Sequence, residues 1–325
     1  MTQGVRRSDG IEITFANGTT IACDGTADAA HTVVSHAHGD HLVENARQII
    51  ASELTAALAD VRQDHTSEVV THPAIELVPA GHIAGSRAAR LTDPETGRRY
   101  LYTGDCSPRD RLYLKGFDPP DADVLIIETT YGHPEYTFPP TDELIGEITD
   151  WFAETSDEVV VAFGYALGRA QKLQAILAET SRQVYVTDAI AELSATIEAH
   201  VDVSLPGQRY DADIDLAPGD VLVLPMQTTR LAWIEALVDR YDAVTAGFSG
   251  WAVDDAFVYR RGLDEGFVLS DHADFNELVE IVRAVDPERV YTTHGATEAF
   301  ASHLTRAEGY ETRALKAGQT TLEDF

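Results

Sequence analysis

A chain of 325 residues, 44% of them hydrophobic, can bury one large core or two modest ones, which excludes an intrinsically disordered chain. It carries 54 Asp and Glu against 24 Lys and Arg, a net charge of −30, and Lys115, Lys172 and Lys316 are its only lysines. The absence of any apolar run near the ~20 residues a bilayer span requires excludes a spanning helix, and two cysteines, Cys23 and Cys106, exclude both a disulfide framework and a Cys-based zinc site.

The acids are spread along the chain rather than gathered in a tail. That pattern reads as a surface adapted to molar salt, where the Debye length falls to about 3 Å and self-repulsion is screened. The melting temperature should therefore fall when salt is lowered from molar to ~0.1 M; a melting curve indifferent to salt would overturn salt adaptation. The first eleven residues are polar, with Arg6 and Arg7 and no apolar core after them, so an ordinary secretory signal is not expected and a cytoplasmic protein is.

In chain order, residues 11–15 and 19–23 read as strands flanking Asn17-Gly18, the dipeptide of a type I′ hairpin. Further strands are expected at 32–34, 74–78, 99–103 and 124–127, so the first third reads as antiparallel. Each of the last three is followed within a few residues by a polar residue of interest, as when loops carry a site on a sheet scaffold. From about Thr137 the pattern changes. Short apolar runs at 159–163, 184–186 and 221–224 alternate with helical spacings: Leu173, Ile176 and Leu177; Ile190, Leu193 and Ile197; Leu231, Ile234, Leu237 and Val238. Strands alternating with helices imply parallel units. Residues 267–325 return to strand, helix, strand, helix, so an insertion interrupts one domain, with borders expected at 1–133, 134–265 and 266–325.

The chemistry concentrates in His36-x-His38-x-Asp40-His41, three imidazoles and a carboxylate directly after an apolar strand. Imidazole nitrogen and carboxylate oxygen are zinc donors, and a tight loop leaving a strand can aim several at one point. A metal site is expected here.

This run resembles the signature of metallo-β-lactamase-fold hydrolases, and further residues match that family in order. Asp24 resembles the aspartate that orients the ligand loop, His82 in Gly81-His82-Ile83 the next histidine ligand, and Asp105 in Thr103-Gly104-Asp105 the aspartate bridging two metals. Beyond them the chain is similar to the β-CASP branch, whose members cut nucleic acids. Glu128 in Ile127-Glu128-Thr129-Thr130 matches motif A, His272 in Ser270-Asp271-His272-Ala273-Asp274 motif B, and His294 in Thr293-His294-Gly295 motif C. The stretch Gly164-Tyr165-Ala166-Leu167-Gly168-Arg169-Ala170-Gln171 resembles the strand-to-helix turn that opens the β-CASP cap. The likeness covers nearly the whole chain. The short cap resembles the compact group that includes DNA-ligase-associated exonucleases and archaeal mRNA 3′-end-processing-factor-like proteins.

The resemblance implies an α/β protein, an αββα sandwich interrupted by a short α/β cap, and two zinc ions per chain. One zinc would take His36, His38 and His82, the other Asp40, His41 and His294, with Asp105 between them. Asp40, Asp105, Glu128 and His272 would be the catalytic set, His272 acting as general acid beside Glu128. The substrate implied is single-stranded RNA or DNA, with RNA slightly favoured because RNA-cutting members carry histidine at motif C. The competing readings are a DNA-ligase-associated DNA exonuclease and a small-molecule hydrolase of thioesterase or lactonase type. The family also admits a homodimer. Candidate substrate contacts are Arg169 and Lys172, cations near the start of a helix, and Tyr131, with Tyr165 a further ring that could stack on bases.

Overall fold

The first hairpin forms as the sequence predicts, with Ile11–Thr14 antiparallel to Thr20–Cys23 from Ile11 opposite Cys23 to Thr14 opposite Thr20. Its turn differs. A type I′ turn needs positive φ at both central residues, whereas Gly18 takes φ 83° and Asn17 does not join it. The Gly18 amide instead donates to the Phe15 carbonyl at 3.0 Å and the Thr19 amide to Asn17 Oδ1 at 2.9 Å, which makes a longer loop.

The structure is a computed structural model that describes residues 4–25, 29, 31–44 and 46–316. Two units are separable, one of Met1–Asp110, Leu114–Glu135 and His272–Phe325, the other of Arg111–Tyr113 and Tyr136–Asp271. The insertion was expected at 134–265. It runs on to Asp271 because Glu265–Phe267 pairs parallel with Val244–Phe248, and because the Asp271 carboxylate is held by Arg169 and Lys172. The strand expected to open the last segment thus belongs to the second unit.

Among the described residues, the first unit holds a four-stranded sheet, Gly4–Arg7, Ile11–Thr14, Thr20–Cys23 and His31–Val33, and a six-stranded one. The latter is ordered Glu311–Ala314, Arg289–Gly295, Val124–Thr129, Arg99–Tyr102, Arg87–Thr92, Ile75–Pro79. Not all of the first third is antiparallel: His31–Val33 runs parallel to Thr20–Cys23, and Arg99–Tyr102 parallel to Val124–Thr129. Every residue of Val124–Thr129 is buried, and a strand covered on both faces is the kind that parallel sheets accept.

Alternation along that strand distributes the core. Leu125 and Ile127 pack with Leu278, Val282 and Phe300 from the helices Phe275–Val285 and Thr297–His303, while Val124 and Ile126 pack with Ile13, Ile21 and Val33 of the other sheet. On the far side of the smaller sheet, Val34, Val43 and Ile49 meet Ala56 of the helix Glu53–Arg62. The layers are helix, sheet, sheet, helix. The helix Phe275–Val285 starts where it does because Asp274 accepts the Glu277 amide and Glu277 accepts the Asp274 amide, both at 2.9 Å.

The second unit is a parallel sheet ordered, among the described residues, Gln208–Arg209, Val184–Val186, Val221–Pro225, Val160–Gly164, Val244–Phe248, Glu265–Phe267. Ile148, Leu173, Ile176 and Ile190 of the helices Thr141–Glu154, Arg169–Leu177 and Asp188–Glu198 join one core cluster with this sheet, and Ile234, Leu237 and Phe257 of Ala232–Tyr241 and Ala256–Arg261 join another. Among the described residues no helix is long and apolar enough to cross a membrane.

Candidate metal centre

The site begins at Asp24, in the left-handed region at φ 52°, just past the strand Thr20–Cys23. Its carboxylate accepts the Ser35 amide at 2.7 Å, the Ser35 hydroxyl at 2.5 Å, the Tyr102 hydroxyl at 2.8 Å and lies 2.8 Å from His41 Nδ1. Burial pushes this carboxyl up, but His41 and Ser35 outweigh burial and hold it below its ordinary value. An ionised Asp24 accepts a hydrogen bond from His41 Nδ1–H, which turns His41 Nε2 toward Asp105.

Ser35 also meets His36, its hydroxyl 2.9 Å from Nδ1, so His36 Nε2 is the atom turned to the centre. That nitrogen is 3.0 Å from His38 Nδ1, which is 3.1 Å from His82 Nε2. Asp105 Oδ2 lies 3.5 Å from His36 Nε2, 3.6 Å from His41 Nε2 and 3.7 Å from His82 Nε2. Gly104, at φ 55°, makes this approach possible, since a Cβ there would stand 2.6 Å from the Ser35 side chain.

His36, His38, His82 and Asp105 each offer a ligand atom, all within 4.8 Å of one another. Burial, reinforced by neighbouring imidazoles, drops His36 well below its ordinary pKa and keeps it in the neutral form that can coordinate. Burial pushes the Asp105 carboxyl up to about 6, against the pull of His41. A packed group of imidazoles around a buried carboxylate, several held by a second partner, fits a divalent metal and matches zinc's donor preference.

The structure gathers the second expected set less tightly. Asp40, largely exposed, is 3.8 Å from His41 Nε2, and the rings of His41 and His294 are 5.4 Å apart. His294 sits at φ 54° at the end of Arg289–Gly295, and burial with the nearby His41 and Arg7 lowers it to about 4, so it too is neutral.

Beside the ligands stands a second pair. His272 Nδ1 is 2.9 Å and 3.0 Å from the two Glu128 oxygens and 3.9 Å from Asp105 Oδ2. Glu128 is fully buried and also accepts the amides of Cys106 at 2.9 Å and Thr130 at 3.2 Å. Burial raises its carboxyl, yet the charge and hydrogen bond of His272, with those amides, bring it below the ordinary value.

The family described as the Zn-dependent metallo-hydrolase RNA specificity domain matches residues 265–315, a segment containing both His272 and His294. A probable DNA ligase of Opitutus terrae is 36% identical over 295 residues, 87% of this chain and 28% of the ligase. A probable RNase of Methanocaldococcus jannaschii is 37% identical over 273 residues, 68% of this chain and 61% of the relative. The chain belongs to the β-CASP family of metallo-β-lactamase-fold proteins. A mouse DNA cross-link repair 1A protein is also similar, 23% identical over 318 residues, 88% of this chain and 30% of the relative. This β-CASP chain spans less than two thirds of the length of each of these relatives. A solved protein of unknown function from Enterococcus faecalis shares the fold at a TM-score of 0.62 and 13% identity, over 98% of this chain and 97% of that one.

The expected substrate contacts of the β-CASP chain need correction. Lys172 is fully buried, its ammonium bonded to the Asp271 carboxylate and, at 3.3 Å, to the Ser270 carbonyl. Arg169, also buried, places Nε 2.9 Å from the other Asp271 oxygen. Arg111, which the sequence did not single out, donates to the Ser270 carbonyl and, at 3.1 Å, to that of Asp271. A buried carboxylate demands such partners, and these cations serve Asp271 rather than a phosphate. Tyr131 is buried with its ring edge-on to His272 at 6.0 Å, so it offers no face to a base.

Proposed function

We propose that this chain is a zinc-dependent nuclease of the cytoplasm that holds two zinc ions and hydrolyses phosphodiester bonds in single-stranded nucleic acid, with RNA slightly preferred. The observation that carries this reading is the Glu128–His272 pair beside the histidine cluster, with His272 Nδ1 3.9 Å from Asp105 Oδ2. When bound, the metal supplies Lewis-acid polarisation of a phosphoryl oxygen and a water nucleophile at neutral pH. His36, His38, His82 and Asp105 would hold the first ion, and Asp40, His41 and His294, with Asp105, the second.

The chain itself manages orientation and protons. Asp24 fixes the His41 tautomer through Nδ1. Glu128 does the same for His272, so Nε2 is the atom that hands a proton to the leaving oxygen. A phosphodiester whose leaving group is a sugar hydroxyl needs that proton, which is why a histidine held by a carboxylate suits this substrate class.

RNA is supported by the match of an RNA specificity domain to residues 265–315. A DNA exonuclease is the second reading, favoured by the 36% identity to a probable DNA ligase across 87% of this chain. RNA and DNA oligonucleotides of one sequence, both 5′-labelled, decide between them at the protein's working salt. Cleavage of both, RNA faster, is expected. DNA cut with RNA untouched establishes the second reading, and neither cut, with zinc bound, sinks the nuclease.

A further inference from the structure

With Arg169 and Lys172 buried against Asp271, neither cation faces solvent, and an exposed ring stands over Arg169 instead. Tyr165, between the strand Val160–Gly164 and the helix Arg169–Leu177, is 51% exposed, and the Arg169 guanidinium carbon lies 4.4 Å from its ring centroid. The same guanidinium reaches the Ser249 hydroxyl at 3.5 Å, which accepts the Trp251 amide at 3.3 Å. Trp251 is 41% exposed, and its ring meets that of Tyr136 edge-on at 5.1 Å. Tyr165 and Trp251 follow the carboxyl ends of Val160–Gly164 and Val244–Phe248, neighbours in one parallel sheet. The carboxyl ends of open parallel sheets are where such folds take up ligands. Exposed aromatic residues scattered singly mean little; these are joined through Arg169 and Ser249 into one patch.

We propose that Tyr165 and Trp251, with Tyr136, form a stacking platform for the bases of single-stranded nucleic acid. The proposal rests on the nuclease reading above and names what binds the strand. A net charge of −30 opposes phosphate binding, and counterion release fades as salt rises. Stacking needs no charge, tolerates any base sequence and persists in salt. Arg169, buried beneath Tyr165 by its bond to Asp271, holds the ring without spending its own charge on the ligand.

The test uses the whole 325-residue chain, zinc-loaded and carrying His272→Ala to slow turnover. The chain has three tryptophans, so the difference in emission between the parent and Trp251→Phe isolates the signal of Trp251. A short single-stranded oligonucleotide should quench that emission, and Trp251→Phe should remove the quench while keeping most of the affinity. Tyr165→Ala and Trp251→Ala should each weaken binding roughly tenfold, with Tyr165→Phe restoring it. An abasic strand of the same length should bind poorly, and Kd for the normal strand should change little between ~0.1 M and ~1 M salt. Equal affinity for normal and abasic strands, or affinity unmoved in a folded Tyr165→Ala, Trp251→Ala double variant, overturns the platform and leaves the patch to a protein partner. Failure of the parent protein to bind any strand overturns it as well. The nuclease reading is judged separately, on hydrolysis of bis(p-nitrophenyl) phosphate by the protein with His272 intact, which needs no stacking.

Discussion

Replacing His272 by alanine should slow phosphodiester cleavage ~10²–10⁴-fold, the range of a lost general acid, with the metal content unchanged. The expectation rests on Glu128, whose two oxygens lie 2.9 Å and 3.0 Å from Nδ1 and leave Nε2 for the substrate. Loss should be greatest for substrates with a poor leaving group and small for an activated aryl phosphodiester, because an aryl oxide departs without help. Glu128→Gln should follow in the same direction, since an amide no longer supports the imidazolium. Elemental analysis beside the rates separates the alternatives. Because Asp105, Glu128 and His272 also lie within ligand reach of one another, metal lost from His272→Ala would make His272 a ligand instead.

Asp271→Ala should cost about 3–5 kcal/mol of folding stability, the penalty of leaving buried charge without its partner. Burial, then the nearby Arg111, lowers Lys172 to about 7, with Asp271 pulling it back up. Burial raises the Asp271 carboxyl, but Lys172 and Arg169 outweigh it and hold the group well below the usual carboxylate range. The two shifts agree once one carboxylate is seen to serve several cations. A depressed carboxylate contributes stability that is present above the unfolded value of ~3.9 and is lost as pH falls from there toward the folded value. The variant should therefore lose stability at pH 7 and differ less from the parent in acid. Urea unfolding midpoints at both pH values measure this. A midpoint at neutral pH matching the parent's would show that the cluster contributes nothing net, whereas Lys172→Met, which exchanges an ammonium for an apolar chain of similar length, should be the milder change.

Much of this was open to reading because the signals are local. A run such as Val124-Leu125-Ile126-Ile127 declares a buried strand, and the spacing in His36-x-His38-x-Asp40-His41 declares donors on one loop. Pairing direction was not open in the same way: nothing near Arg99–Tyr102 says that it lies parallel to Val124–Thr129, since that depends on which neighbour the sheet supplies. The fate of Arg169 and Lys172 was hidden for a similar reason. Cations at a helix start read alike whether they meet solvent, phosphate or a carboxylate, and Asp271 stands far down the chain. The same distance hid Trp251 and Tyr136, which only the fold brings ring to ring.

Metal-dependent cleavage by this constellation is tested most directly with an end-labelled single-stranded oligonucleotide and three samples: protein as purified, protein stripped by chelator and restored with zinc, and Asp105→Ala. Cleavage should vanish on stripping and return with zinc, while Asp105→Ala, folded but poor in metal, should not be rescued. Cleavage that survives complete stripping, or that proceeds unchanged in Asp105→Ala, would contradict it.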